Sequence, residues 1–280
     1  MRKAVLIVLI AVLAAGGVWF LYARAHQEPT IEGPAISVRF TDDEFGNAVI
    51  IRTPEGKVAV VDPARRRTSA LIGLLRDEHV RQLTVVVSAP SSDTAGAIAK
   101  LQRSVKVERV IRTQQGRTPQ QWKSMLVRAK CRPAAETLVE PGGSAQLSPT
   151  VRLDVLCPGK GAAKSEGSSV IRLNYRGKGV LYITELHAEG EAALISSGVN
   201  LQSSVIAVGK RGGRDNPSLE LLSKVRPEFC VLCSNRPSAS IISRLRQENS
   251  GATLFRTDKD GIIEIVTDGH SVQSVTGGGP

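Results

Sequence analysis

Residues 83–101 read LTVVVSAPSSDTAGAIAKL. The apolar run that starts this stretch predicts a strand over 82–88 of the kind buried on both faces. The spacing of Ala95, Ile98, Ala99 and Leu101 predicts a helix from about Ala95 to Arg103. Between them lies a polar loop, Ser88 to Thr94. A strand that runs through a loop into a helix is where α/β architectures place their chemistry. Yet this loop holds one carboxylate, Asp93, and neither histidine nor cysteine. The loop is shaped like a site and lacks the usual reactive groups.

Working outward, the same alternation fills the chain. Upstream, ISVRF (36–40), NAVIIRT (47–53) and KVAVVD (57–62) read as strands, with Pro54-Glu55-Gly56 turning the second into the third. SALIGLLRDEHV (69–80) reads as an amphipathic helix. Downstream come the strand KVERVIR (106–112) and a helix with Thr118 as N-cap and Pro119 at its first position. The second half repeats the style. SAQLS (144–148), VRLDVLC (151–157), SSVIRLNY (168–175) and GVLYIT (179–184) are strands, the last two joined at Arg176-Gly177-Lys178. SSVIAVG, EFCVLCS, ATLFRT and IIEIVTD follow as strands, with helices from AEGEAALISS, from Pro217 and from Pro237. Two comparable halves of strands and interspersed helices predict an α+β fold, an αββα sandwich of two packed sheets with helices outside.

The chain has 280 residues, 41% of them hydrophobic and 22% charged, which fits a globular body and excludes a disordered one. Only 4% are aromatic, so Val, Ile, Leu and Ala must build the core. The net charge of +11 is met by a solvated surface, or by nucleic acid, anionic lipid or a cell-wall polyanion as neighbour. Arg65, Arg66 and Arg67 form the densest basic run, and Lys210, Arg211 and Arg214 a looser one ahead of Pro217.

Met1-Arg2-Lys3 precedes the uncharged run Ala4 to Ala23, which ends near Trp19 and Tyr22. About twenty apolar residues span a bilayer as a helix, and the flanking charges favour a cytoplasmic N-terminus with an exported body. Ala23-Arg24-Ala25 also matches a signal-peptidase site, which leaves cleavage as the alternative. The expected organisation is 1–3 cytoplasmic, 4–23 a transmembrane anchor, 24–35 a linker, 36–270 the folded domain and 271–280 a disordered tail, located at the inner membrane. Four cysteines in an exported body permit disulfides, and a Cys131–Cys157 bridge is the candidate pair. Cys230 and Cys233 lie three apart on a strand, so they point to opposite faces and suit neither a redox motif nor a zinc knuckle.

ISVRFTDDEFGNAVIIRTPEGKVAVVDPA (36–64) and VRPEFCVLCSNRPSASIISRLRQENSGATLFRTDKDGIIEIVTDG (225–269) resemble the opening and the ending of the metallo-β-lactamase-like domain of ComEC-type DNA-uptake channels. Gly46-Asn47-Ala48 stands at that family's G-D-A and Asp62-Pro63-Ala64 at its D-G-G. The run Arg256 to Gly269 is the most specific piece, and the resemblance covers about residues 36 to 270. It implies a metal site built from H-x-[HD]-x-D-H, T-G-D, P-H-H-G-S and G-H-P-S.

At those positions this chain has Ala89, Ser91, Asp93 and Thr94, then Glu185, then Lys210 and Arg211, then Arg236. A methyl cannot coordinate a metal, and hydroxyls and cations are poor replacements for imidazole. By this alignment none of His26, His79, His187 and His270 stands at a ligand position. The expectation is therefore a vacated metal site with no cofactor and no catalytic residue, in which Asp93 and Glu185 face the cations. Three functions stand side by side: a membrane-anchored binding or scaffolding pseudoenzyme with a protein partner in the envelope, a domain binding nucleic acid weakly and without sequence preference, and a hydrolase with a rebuilt site.

Overall fold

The computed structural model of the chain describes residues 31, 33–113, 118–132, 134–156, 169–209, 217–234, 236–248 and 251–276. Their strands form two sheets. The first has eight strands: β1 (Ile36–Phe40), β2 (Val49–Arg52), β3 (Val58–Val61), β4 (Gln82–Val87), β5 (Lys106–Thr113), β6 (Glu136–Val139), β14 (Ile263–Thr267) and β15 (Val272–Thr276), in the order β15-β14-β1-β2-β3-β4-β5-β6. The second has seven: β7 (Ser144–Gln146), β8 (Val151–Val155), β9 (Ser169–Tyr175), β10 (Lys178–Glu185), β11 (Val205–Val208), β12 (Phe229–Leu232) and β13 (Thr253–Arg256), in the order β13-β12-β11-β10-β9-β8-β7.

Each half repeats one pattern. An antiparallel hairpin, β2–β3 or β9–β10, feeds parallel neighbours, β4-β5-β6 or β11-β12-β13. Parallel pairs need crossovers, which the helices provide. These are α1 (Thr68–Asp77), α2 (Ser92–Leu101), α3 (Pro119–Ala129), α4 (Ala188–Ser196), α5 (Leu219–Val225) and α6 (Ala239–Glu248), with a short turn α7 (Thr257–Asp260).

The period-2 alternation of the strands produces three apolar layers. Val38 and Phe40 of β1, Val86 of β4, Ile171 of β9 and Ala207 of β11 meet between the sheets. Val85 and Val87 of β4, pointing the other way, pack under α1–α3 with Leu71, Ile98 and Trp122. Leu181, Ile206 and Cys230 do the same under α4–α6. Full burial of one such side chain contributes roughly 1.5–3 kcal/mol, so these layers are the main source of stability. The αββα sandwich expected from the sequence is the fold observed.

Several expectations shift. The helix after β4 starts at Ser92, not Ala95, because Ser91 caps it: its hydroxyl accepts from the Thr94 amide at 3.1 Å. The helix expected from Pro217 starts at Leu219, capped by Ser218. Thr118 forms the capping box expected of α3. Residues 271–280 are not all tail, since Val272–Thr276 pair antiparallel with β14 as an edge strand, and the folded domain therefore runs past 270. The short strand β6 also lay outside the expectation.

Cys131 is a free, buried thiol rather than half of a disulfide. It packs in the layer under α1–α3, whereas Leu156, the chain neighbour of Cys157, packs in the layer outside the other sheet. Both sheets lie between them, and Cys157 itself is outside the described residues. Cys230 and Cys233 do face opposite sides of β12, one in the outer layer and the other between the sheets. Burial pushes the Cys131 thiol up to about 11 and the Cys230 thiol up to about 12, and Cys233 is raised by the same cause. Among the described residues no helix is long and apolar enough to cross a membrane, and the anchor expected at 4–23 lies outside them.

Candidate functional site

The carboxyl ends of β3, β4 and β10 meet at one end of the sandwich, where open parallel sheets place ligands. Asp62 follows β3 directly with φ +47, a left-handed conformation tolerated by short polar side chains. That turn aims its carboxylate across to β4. One oxygen, Oδ1, accepts the Ser88 amide at 2.8 Å. The other, Oδ2, accepts the Ser88 hydroxyl and, at 3.2 Å, the hydroxyl of Thr184. The two hydroxyls are themselves 2.6 Å apart. Ser88 is fully buried, and Thr113 at the end of β5 donates its hydroxyl to the Ser88 carbonyl at 2.6 Å.

Thr184 reaches this cluster because β10 bulges there: Ile183 pairs with Val170 and Glu185 with Ser169, so Thr184 is the extra residue. Gly209, at the end of β11, donates to the Ile183 carbonyl at 2.7 Å. A Cβ there would sit 3.0 Å from the Tyr182 hydroxyl and 3.2 Å from the Ile183 carbonyl oxygen, so the close approach favours glycine.

Asp62 as a residue is half-buried, but its carboxylate is enclosed by these donors. Burial pushes the Asp62 carboxyl above the usual carboxylate range, against the pull of the hydrogen bonds from Ser88, Thr184 and the Ala89 backbone. Burial likewise raises the Tyr182 phenol well above its ordinary value, with the Asp62 and Cys233 charges adding to it. The cluster links the two sheets through one carboxylate and two hydroxyls.

The residues singled out from sequence lie around this cluster rather than in it. Ala89 is half-buried in the loop after Ser88. Ser91 spends its hydroxyl on the cap of α2 and lies 2.9 Å from the hydroxyl of the buried Thr94. Asp93 points from the first turn of α2 into solvent, and Arg236 is exposed as well. Neither makes an ion pair with another described residue, and Lys210 and Arg211, the other cations expected to face Asp93, lie outside the described residues. Glu185 ends β10, and its side chain, like Lys210 and Arg211, lies outside the described residues. His187 is the exposed N-cap of α4, and His79 and His270 are exposed at turns away from the carboxyl ends of β3 and β4.

Sequence reading missed the roles of Ser88 and Thr184. The available signal was a carboxylate, Asp62, ending an apolar strand, together with hydroxyls ending two others.

No family model matches the sequence, and no curated protein matches it. Solved structures do match. Zn²⁺-bound PqqB from Methylobacterium extorquens, a metallo-β-lactamase-fold protein, is 10% identical with a TM-score of 0.51, over 79% of this chain and 86% of that one. The fold is that of the metallo-β-lactamases. A metal-dependent hydrolase from Parabacteroides distasonis is similar at 10% identity with a TM-score of 0.52, over 80% of this chain and 93% of that one. At such identity the likeness concerns the fold.

A divalent metal in this fold would need imidazole and carboxylate ligands with free lone pairs. The described residues do not fit one. No three His, Cys, Asp or Glu side chains among them converge. Both oxygens of the Asp62 carboxylate are taken by hydrogen-bond donors, and the Ser91 hydroxyl is taken by a helix cap.

Proposed function

We propose that this protein is a membrane-anchored, non-catalytic member of the metallo-β-lactamase fold, acting as a binding or assembly module on the exported side of the inner membrane. The observation that carries the reading is the loop after β4, where two positions aligned with metal ligands offer a methyl, Ala89, and a hydroxyl spent on the cap of α2, Ser91. Neither group suits a divalent metal, and the nearby enclosed carboxylate, Asp62, serves to link the two sheets through Ser88 and Thr184. The run Ala4–Ala23 supports the anchor, and the ComEC-type resemblance supports an envelope setting.

A second reading, sequence-independent binding of nucleic acid, is favoured by one feature. Arg65, Arg66 and Arg67 are exposed on the loop that follows Asp62. Arg67 is paired with Asp43 at 3.3 Å, and Arg66 makes no ion pair among the described residues. Few aromatics are present to stack on bases, so such binding would rest on phosphate contacts and fall steeply with salt.

The test is N-terminal sequencing of the protein extracted from membranes, followed by assay of the same preparation for phosphodiester and lactam hydrolysis with added zinc or manganese. An intact N-terminus and no turnover above the metal alone are expected. A mature chain starting near His26, or metal-dependent turnover abolished by a chelator, would overturn the proposal.

A further inference from the structure

At the other end of the eight-stranded sheet, where β4 and β5 begin, a groove of about 250 Å³ opens beside the C-terminal ends of α1 and α2. Leu75, Val80 and Val105 give it an apolar floor, and Arg76, His79 and Arg81 line it as exposed side chains. Neither Arg76 nor Arg81 makes an ion pair among the described residues; Asp77, beside Arg76, makes none among them either and faces solvent, while two other nearby acids are engaged elsewhere. Glu78 is held by Arg39 and Arg52, and Glu108 by Lys106.

The backbone adds a second observation. α1 ends with the Val80 amide bonded to the Leu75 carbonyl at 2.8 Å and the His79 amide to the Arg76 carbonyl at 2.9 Å, with His79 at φ +58. Glycine is the usual residue at that left-handed position. Lys130 and Arg226 take the same left-handed conformation at the ends of α3 and α5, so what distinguishes His79 is that its imidazole is placed on the groove.

We propose that this groove binds a small organic anion, with a carboxylate or phosphate head between Arg76 and Arg81 and a compact apolar body on the Leu75–Val80–Val105 floor. Guanidinium groups match both heads in bidentate geometry. The competing account is that the cations merely offset the negative end of the α1 dipole. That account does not require the apolar floor on which the two guanidinium groups stand. The inference is independent of the metal-free reading, since the two sites lie at opposite ends of the sheet.

The test is a ligand-observed NMR titration of the full chain with phenyl phosphate and benzoate, with phenol and inorganic phosphate as controls. At least one anion should bind with a dissociation constant of about 1 mM or below, roughly tenfold tighter than both controls. Arg76→Gln combined with Arg81→Gln should weaken that binding about tenfold without lowering the melting temperature. His79→Gly should raise the melting temperature yet weaken binding, an outcome that dipole compensation does not predict. No saturable binding of either anion, equal binding of phenol or of inorganic phosphate, or binding unchanged in the arginine variant would each overturn the proposal.

Discussion

Ser88→Ala is the most informative single perturbation of the Asp62 cluster. The serine is fully buried, and its hydroxyl has two partners, the Asp62 Oδ2 atom and the Thr184 hydroxyl at 2.6 Å. A hydrogen bond to a charged group contributes about 1.5–3 kcal/mol. Thr184, already 3.2 Å from the same oxygen, can recover part of the loss, so the expected cost is about 2 kcal/mol. For a domain of this size that is a fall in melting temperature of about 4–8 °C. Thr184→Val should behave similarly, because Ser88 remains. The double variant strips Oδ2 of both hydroxyl donors and should cost more than the sum of the singles, by about 0.5–3 kcal/mol. Urea denaturation of the four proteins closes the cycle. Additive effects, or a Ser88→Ala cost below about 0.5 kcal/mol, would refute the claim that the hydroxyls share one enclosed carboxylate oxygen.

Three further expectations follow from the same packing. Burial raises the Asp62 carboxyl in the folded state above its ordinary value of 3.8, so its contribution favours folding fully below that value and is lost as pH rises through the folded value. Asp62→Asn should therefore gain stability relative to the parent as pH climbs through that window, and a gap that shrinks instead would contradict it. Gly269 has φ +94, and an added Cβ would collide with the Cβ of Arg176, so Gly269→Ala should cost roughly 2 kcal/mol in denaturant titration. Cys131, Cys230 and Cys233 are buried free thiols, so in the folded chain they should resist thiol reagents, and dithiothreitol should leave the melting temperature unchanged; rapid labelling of all three would show otherwise.

The two-sheet fold was legible because long apolar strands such as β4 and β10 impose it locally, and because each strand's alternation names its two faces. β15 was not legible. Its sequence VQSVT carries little apolar weight, and its strand character comes from pairing with β14, a tertiary effect. The candidate site was legible by what it lacks, since Ala89, Ser91 and Thr94 can be read off the loop. The Asp62 cluster beside that loop was not. Asp62 meets a serine 26 residues away and a threonine 122 residues away, and only the bulge in β10 turns that threonine toward it. Nor does sequence spacing show that Ser91 serves a helix cap, because the α2 start it defines lies three residues before the apolar pattern begins.

The central claim, a metallo-β-lactamase fold whose ligand positions no longer hold a metal, is tested most directly by elemental analysis of the purified full chain after dialysis, with chelator-treated protein melted in parallel. The account predicts far less than one equivalent of zinc, manganese or iron, with the same melting temperature with and without chelator. About one equivalent of tightly held metal, with a chelator-induced fall in melting temperature, would contradict it.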